Sequence, residues 1–219
     1  MSAVPGPPYA LGVWFCRTIL REFFSLTASG EEWVPPEGPC IIASNHASFL
    51  DPPAVASASG RDVYSFARKS LTRSKVGSWL FRSLRTVPVD RDRGNDLHSI
   101  RVVLRRLREG HAILLFPEGI RSPDGSIGTA QRGVGLLAAM AQVPLVPARI
   151  FGSFDAWGRG TGRPKFFSPL HVGFGPALAP SDYDPGPADR DRHRKIADLL
   201  MARISAISFT PEVFKRIAR

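Results

Sequence analysis

The sequence predicts an α/β domain with a mainly parallel central sheet flanked by helices. Short apolar, β-rich runs alternate with segments of helical period, which is the pattern of strand–helix–strand units. Some of those runs, Cys40–Ala43 and Ala112–Phe116 foremost, are apolar at every position, as strands covered on both faces must be. A chain of 219 residues is long enough to bury one such core.

Taken in order, residues 1–30 form an N-terminal amphipathic unit and residues 31–219 the body of the domain. Between Tyr9 and Leu26, the residues Leu11, Trp14, Phe15, Ile19, Phe23 and Leu26 recur at helical spacing, with Arg17 and Arg21 one turn apart. Arg17, Arg21 and Glu22 stop the run short of the ~20 apolar residues a membrane span needs. Its start also lacks the basic region of a secretory signal. Such a helix lies in a bilayer interface, packs on the body, or does both. Glu37-Gly38-Pro39 turns the chain into the first strand of the body, Cys40–Ala43. A helix is expected from near Phe49 to Ser59, with Ser48 as its N-cap, Asp51 in its first turn and Pro52-Pro53 near its start.

Val63–Ala67 alternates like a second strand. Residues 68–85 mix basic residues with Leu71, Val76, Trp79, Leu80, Phe81 and Leu84, a helical pattern partly facing the core. Thr86–Val89 is a short strand whose proline suits an edge or an end. Asp96 opens a helix with an apolar stripe of Leu97, Ile100, Leu104 and Leu107, and Gly110 closes it. The strand Ala112–Phe116, a helix from Gly133 to Ala141 and the strand Val143–Phe151 follow. Beyond Gly152 come a glycine- and arginine-rich loop at 158–164, a last strand at Leu170–Phe174 and a connector at 176–187. A helix from Ala188 to Ile207 turns Ile196, Leu199, Leu200, Ile204 and Ile207 inward.

The net charge of +10 is unevenly placed. Residues 61–110 hold thirteen Lys and Arg against five Asp and Glu, which is +8 of the total. Near anionic lipid each basic residue contributes about 1 kcal/mol. No zinc-finger spacing or aromatic–basic RNA motif accompanies the charge, so an anionic membrane surface is the expected partner and nucleic acid is not. Cys16 and Cys40 lie in apolar surroundings without metal-like spacing and read as buried free thiols. The few histidines show no ligand spacing either, so no metal is expected.

Parallel sheets bind ligands beyond the carboxyl ends of their strands. Three polar clusters fall at such places: Asn45-His46 with Ser48 and Asp51, Asp90-Arg91, and Pro117-Glu118-Gly119-Ile120-Arg121-Ser122. A strand end and a helix start can bring His46 to Asp51. The carboxylate then accepts the Nδ1 proton and leaves Nε2 as a base. Arg91 and Arg121 suit a phosphate, because guanidinium pairs bidentately with its oxygens. Glu118 holds a bound group or braces its loop; Gly119 permits close approach or serves the turn. Arg132-Gly133 binds phosphate or caps a helix.

These residues resemble the sequence blocks of the glycerophospholipid acyltransferases. Asn45-His46, Ser48 and Asp51 match NHxSxxD; Val87-Pro88-Val89-Asp90-Arg91 resembles the second block. Phe116–Ser122 resembles FPEGTRS, and Val143–Pro147 the fourth block, an apolar strand with proline. Ile120 stands where the family has threonine, and Arg68-Lys69-Ser70 where it commonly has two lysines and a glutamate. The resemblance gives Lys69, or Arg68, a part at the acyl carbonyl.

It implies transfer of a fatty acyl group from acyl-CoA or acyl carrier protein to the free hydroxyl of a lysophospholipid, first of all 1-acyl-glycerol-3-phosphate, giving phosphatidate. His46 and Asp51 are then catalytic. Asn45, Ser48, Lys69, Arg91, Glu118, Gly119, Arg121 and Ser122 bind substrate. No cofactor beyond the acyl donor is implied, and the enzyme would sit peripherally on the cytoplasmic side of the cell membrane. The sequence has no GxSxG elbow, so direct attack by the acceptor is expected rather than an acyl-enzyme. The same chemistry on another alcohol, or a basic lipid-binding module without catalysis, are the alternatives.

Overall fold

A computed structural model describes residues 7–68, 85–89 and 96–209. Seven strands among them form one sheet: β1 (Thr27–Ser29), β2 (Cys40–Ser44), β3 (Val63–Arg68), β4 (Thr86–Val89), β5 (Ala112–Leu115), β6 (Leu145–Phe151) and β7 (His171–Phe174). Their spatial order is β1-β7-β6-β2-β5-β3-β4. The five strands from β6 to β4 are mutually parallel; β7 runs antiparallel to β6, with β1 parallel to β7 beside it. The sheet is mainly parallel, as the sequence predicts.

Period-two alternation along β2 distributes its side chains over two separate cores. On the first face Cys40 and Ile42 meet α1 (Pro7–Phe24) through Leu20 and Phe24, and α2 (Asp51–Ala58) through Ala54, Val55 and Ala58. On the second face Ile41 and Ala43 meet three helices. These are α3 (Asp96–Arg108), α4 (Arg132–Ala141) and α7 (Arg192–Ala206), entering with Leu104 and Leu107, with Leu137, and with Ile196, Leu200 and Ile204 respectively. Each such aliphatic side chain contributes about 1.5–3 kcal/mol on burial. Two short helices, α5 (Ser153–Trp157) and α6 (Pro180–Tyr183), and a 3₁₀ turn at Glu31–Trp33 complete the described elements.

Several expectations shift. The helix after β2 begins at Asp51, not near Phe49, and its N-cap residue is Leu50 without a side-chain cap. Ser48 is therefore not the cap; its hydroxyl has another task, described below. The C-terminal helix starts at Arg192 rather than Ala188, because the chain from Asp184 to Asp191 is held in turns by its own aspartates. Leu199 is only partly buried, and Ile207 lies beyond the helix end. Strand β6 starts after Val143-Pro144, at Leu145. The N-terminal helix packs Cys16, Leu20 and Phe24 into the body while Leu11, Trp14, Phe15 and Phe23 stay exposed. Cys16 and Cys40 are free and buried, and burial pushes both thiols up to about 11. The helical segment expected between Arg68 and Arg85 lies outside the described residues.

Candidate active site

Strand β2 continues into α2 on the first face, and its neighbour β5 continues into α4 on the second. The two connections diverge from adjacent strand ends and leave a crevice between them, the usual ligand position of a parallel sheet. His46 and the turn Pro117–Ser122 meet at these strand ends.

Asn45 directly follows the strand. Its Nδ2 donates to the Ile150 carbonyl at 3.2 Å and its Oδ1 accepts from the Ile150 N–H at 2.8 Å. The side-chain amide thus takes the place of a peptide in the β2–β6 ladder, and the backbone is freed to turn toward the crevice. The backbone of His46 is then clamped on both sides. Its N–H donates to Glu118 Oε1 at 3.0 Å, and its carbonyl accepts from the Ser122 N–H at 2.7 Å. Glu118, 5% exposed, also accepts from Gly128 N–H at 3.1 Å through Oε2. The glutamate therefore ties the histidine's backbone to both ends of its own loop.

The imidazole Nδ1 lies 2.8 Å from Asp51 Oδ2. That oxygen also accepts from the Ala47 and Ser48 N–H groups at 2.6 and 2.7 Å. Asp51 is fully buried at the first turn of α2, where the helix dipole favours a carboxylate. Three donors on one oxygen leave that carboxylate no freedom to rotate, and with the acid at Nδ1 the imidazole carries its proton there. Phe116 stacks on the ring at 4.1 Å and 20°. The His46 side chain is 19% exposed, and Nε2 has no hydrogen-bond partner among the described residues. A base with one nitrogen held and the other open is the result.

Ser48 is buried and donates to the Trp157 carbonyl at 2.8 Å while accepting from Leu50 N–H at 3.1 Å. It fastens the His46–Asp51 turn to α5. Gly119 has φ +73°, and a Cβ there would meet Gln131 Cγ at 3.2 Å, so the turn itself asks for glycine. Ser122 Oγ donates to Asp124 and accepts from the Gly125 N–H. Asn45, Ser48, Glu118 and Ser122 are thus held by the protein's own groups. Arg121 differs: its Cζ lies 3.6 Å from the centre of the Phe49 ring, without a carboxylate partner among the described residues. Burial, and after it the like charge of Arg159, lowers the proton affinity of this guanidinium, with Asp51 opposing. Arg132 lines a depression of about 330 Å³ with Leu136, Arg190, His193 and Arg194 rather than the His46 crevice. Lys69 and Arg91 lie outside the described residues. Among the described residues no three His, Cys, Asp or Glu side chains cluster to hold a metal ion.

The Acyltransferase family model matches residues 25–151. The chain belongs to the acyltransferase family. The matched segment runs from just before β1 to the end of β6 and carries His46, Asp51, Glu118 and Arg121. Among relatives of this acyltransferase-family chain, 1-acyl-sn-glycerol-3-phosphate acyltransferase BAT2 of Brassica napus chloroplasts is 29% identical over 133 residues. That match takes in 60% of this chain but 38% of the plant protein. The Bacillus subtilis 1-acyl-sn-glycerol-3-phosphate acyltransferase is 29% identical over 146 residues, 63% of this chain and 70% of its own. The crystal structure of the 1-acyl-sn-glycerophosphate (LPA) acyltransferase PlsC from Thermotoga maritima superposes with TM-score 0.70 at 20% identity. It covers 92% of this chain and 81% of PlsC, and so shows the shared fold.

Sequence reasoning did not assign roles to Phe116, Phe49, Trp157 or Arg159. Phe116 had a signal, since it directly precedes Pro117-Glu118 at the end of an apolar strand. Phe49 and Trp157 had none, because their rings meet only across the fold, at 5.4 Å.

Proposed function

We propose that this acyltransferase-family protein transfers a fatty acyl group from a thioester of coenzyme A or acyl carrier protein to the free hydroxyl of 1-acyl-sn-glycerol-3-phosphate. The single observation that carries the mechanism is the His46–Asp51 pair at 2.8 Å with Nε2 left open. Nε2 takes the proton of the acceptor hydroxyl as its oxygen attacks the thioester carbonyl. The tetrahedral intermediate collapses, the C–S bond breaks, and the leaving thiolate takes the proton back from the imidazolium. Asp51 holds the ring and stabilises its transient positive charge. Lys69 supplies positive charge at the oxyanion, and Arg91 and Arg121 hold the acceptor phosphate. The acceptor assignment is supported by the activity for which the relatives are named and by the guanidinium of Arg121 stacked on Phe49.

Peripheral binding to the anionic cytoplasmic leaflet belongs to the same reading. It is supported by the exposed Leu11, Trp14 and Phe15 on α1, by Phe23 with Phe166 and Phe167 beside it, and by the basic 61–110 region. No helix of the described residues is long and apolar enough to cross a membrane. The experiment is thiol release from palmitoyl-CoA by purified protein. Release only when lysophosphatidate is present supports the reading; equal release without acceptor, or none with it, refutes it.

A further inference from the structure

The glycine-rich loop after α5 lies beyond the segment that the family model matches, yet it is built onto the catalytic turn. Gly158 forms an isolated antiparallel bridge with Ser48, two residues from His46. Ser48 donates to the carbonyl of Trp157, and the Trp157 ring sits 5.4 Å from Phe49, the ring on which Arg121 lies. The bridge requires glycine, because a Cβ at Gly158 would lie 2.6 Å from the Phe154 carbonyl oxygen. Thr161 then closes a tight turn, donating to the Gly158 carbonyl from N–H and from Oγ1 at 3.3 and 2.8 Å, with Gly160 at φ +90°. Lys165 N–H donates to Ala156 O and shuts the base of the loop. Arg159 is carried, exposed, between two fixed points of a loop that reaches the Arg121 side of the site through Trp157 and Phe49, and its positive charge is felt at Arg121.

Among the described residues neither guanidinium has a carboxylate partner. Two like charges held near each other by separate anchors raise each other's energy, and an anion between them relieves it. We propose that Arg159 is a further phosphate-binding residue of this site, clamping the acceptor's phosphate monoester together with Arg121. The inference rests on the acyl transfer proposed above. A monoester carries close to two negative charges at pH 7 and three acceptor oxygens, enough for two forked donors at once. An acceptor lacking the phosphate leaves the two positive charges without an anion to relieve them, so the pair also selects against it. The thioester's acyl carbon is uncharged and makes no such demand, although the coenzyme bears phosphates elsewhere.

The test is R159Q in the full chain, assayed by thiol release with lysophosphatidate and palmitoyl-CoA varied separately. The expected result is a KM for lysophosphatidate raised about 10- to 100-fold, the range for one lost charged hydrogen bond. The KM for palmitoyl-CoA and kcat stay within about threefold, and R159K falls between the wild type and R159Q because lysine keeps the charge without the fork. An unchanged KM for lysophosphatidate, or a rise confined to palmitoyl-CoA, overturns the assignment and leaves the acyl transfer reading intact. A wild-type protein that releases no thiol with lysophosphatidate overturns both. R159Q is at an exposed position, so a thermal melt matching wild type is expected alongside.

Discussion

Asp51→Asn separates the charge of the carboxylate from its hydrogen-bond geometry. In the wild type Oδ2 accepts from His46 Nδ1, Ala47 N–H and Ser48 N–H, while the buried Oδ1 has no partner. An asparagine whose carbonyl takes the Oδ2 position keeps all three donors. Its amide nitrogen then lies where Oδ1 was, buried without an acceptor, at a cost to stability of about 1–3 kcal/mol. What is lost in the reaction is the negative charge facing the imidazolium. With Nδ1 and Oδ2 2.8 Å apart the charge centres are about 4 Å apart, which at an effective dielectric constant near 20 corresponds to about 4 kcal/mol. That lowers kcat about 10³-fold. KM should change little, because Asp51 is fully buried and does not reach the substrate. Steady-state thiol release with lysophosphatidate measures the first effect and thermal melting the second. A folded D51N protein whose kcat lies within tenfold of wild type would refute the assignment of Asp51 as charge stabiliser.

Glu118→Gln should act through the backbone it braces: one of its two amide-facing oxygens becomes an NH₂ opposed to the N–H of His46 or Gly128. A melting-temperature loss equivalent to about 1–3 kcal/mol, with kcat falling more than KM rises, is the expected outcome; unchanged melting contradicts the brace. His171 is buried between Thr27 Oγ1 and Ser29 Oγ, at 2.9 and 3.0 Å from its two nitrogens, and burial lowers its pKa to about 4. Because the folded value lies below the unfolded value near 6.5, its stabilisation is complete above pH 6.5. It is lost as pH falls toward 4, about 3 kcal/mol in all. Denaturant melts of wild type and H171Q at pH 7 and pH 4.5 check this, and an equal acid loss in both would contradict it.

Legibility differed between elements for physical reasons. Strand β2 was readable because a strand buried on both faces must be largely apolar, and Cys40–Ala43 is apolar throughout. The meeting of His46 and Asp51 was readable because it is local, a strand end beside a helix start. The N-cap was misread because the Ser48 hydroxyl, a good capping group by type, accepts from the Leu50 N–H just ahead of the helix while donating to the Trp157 carbonyl 109 positions away. Strand β1 could not be read from Thr27–Ser29: it is short, polar, and forms only by pairing with β7, 144 residues on. Asn45 looked like a substrate ligand by its motif. Its side chain is in fact bonded to Ile150 in β6, a partner set by sheet order, which local pattern does not encode. Arg159 stood in a visible glycine–arginine loop, but nothing local to that loop ties it to His46.

The most direct test of the central claim is acyl transfer by His46→Ala. The backbone bonds of residue 46 to Glu118 and Ser122 do not need the side chain, so the variant should fold. The account predicts loss of lysophosphatidate-dependent thiol release by about 10²–10⁴-fold. Transfer at the wild-type rate by the folded variant would contradict it.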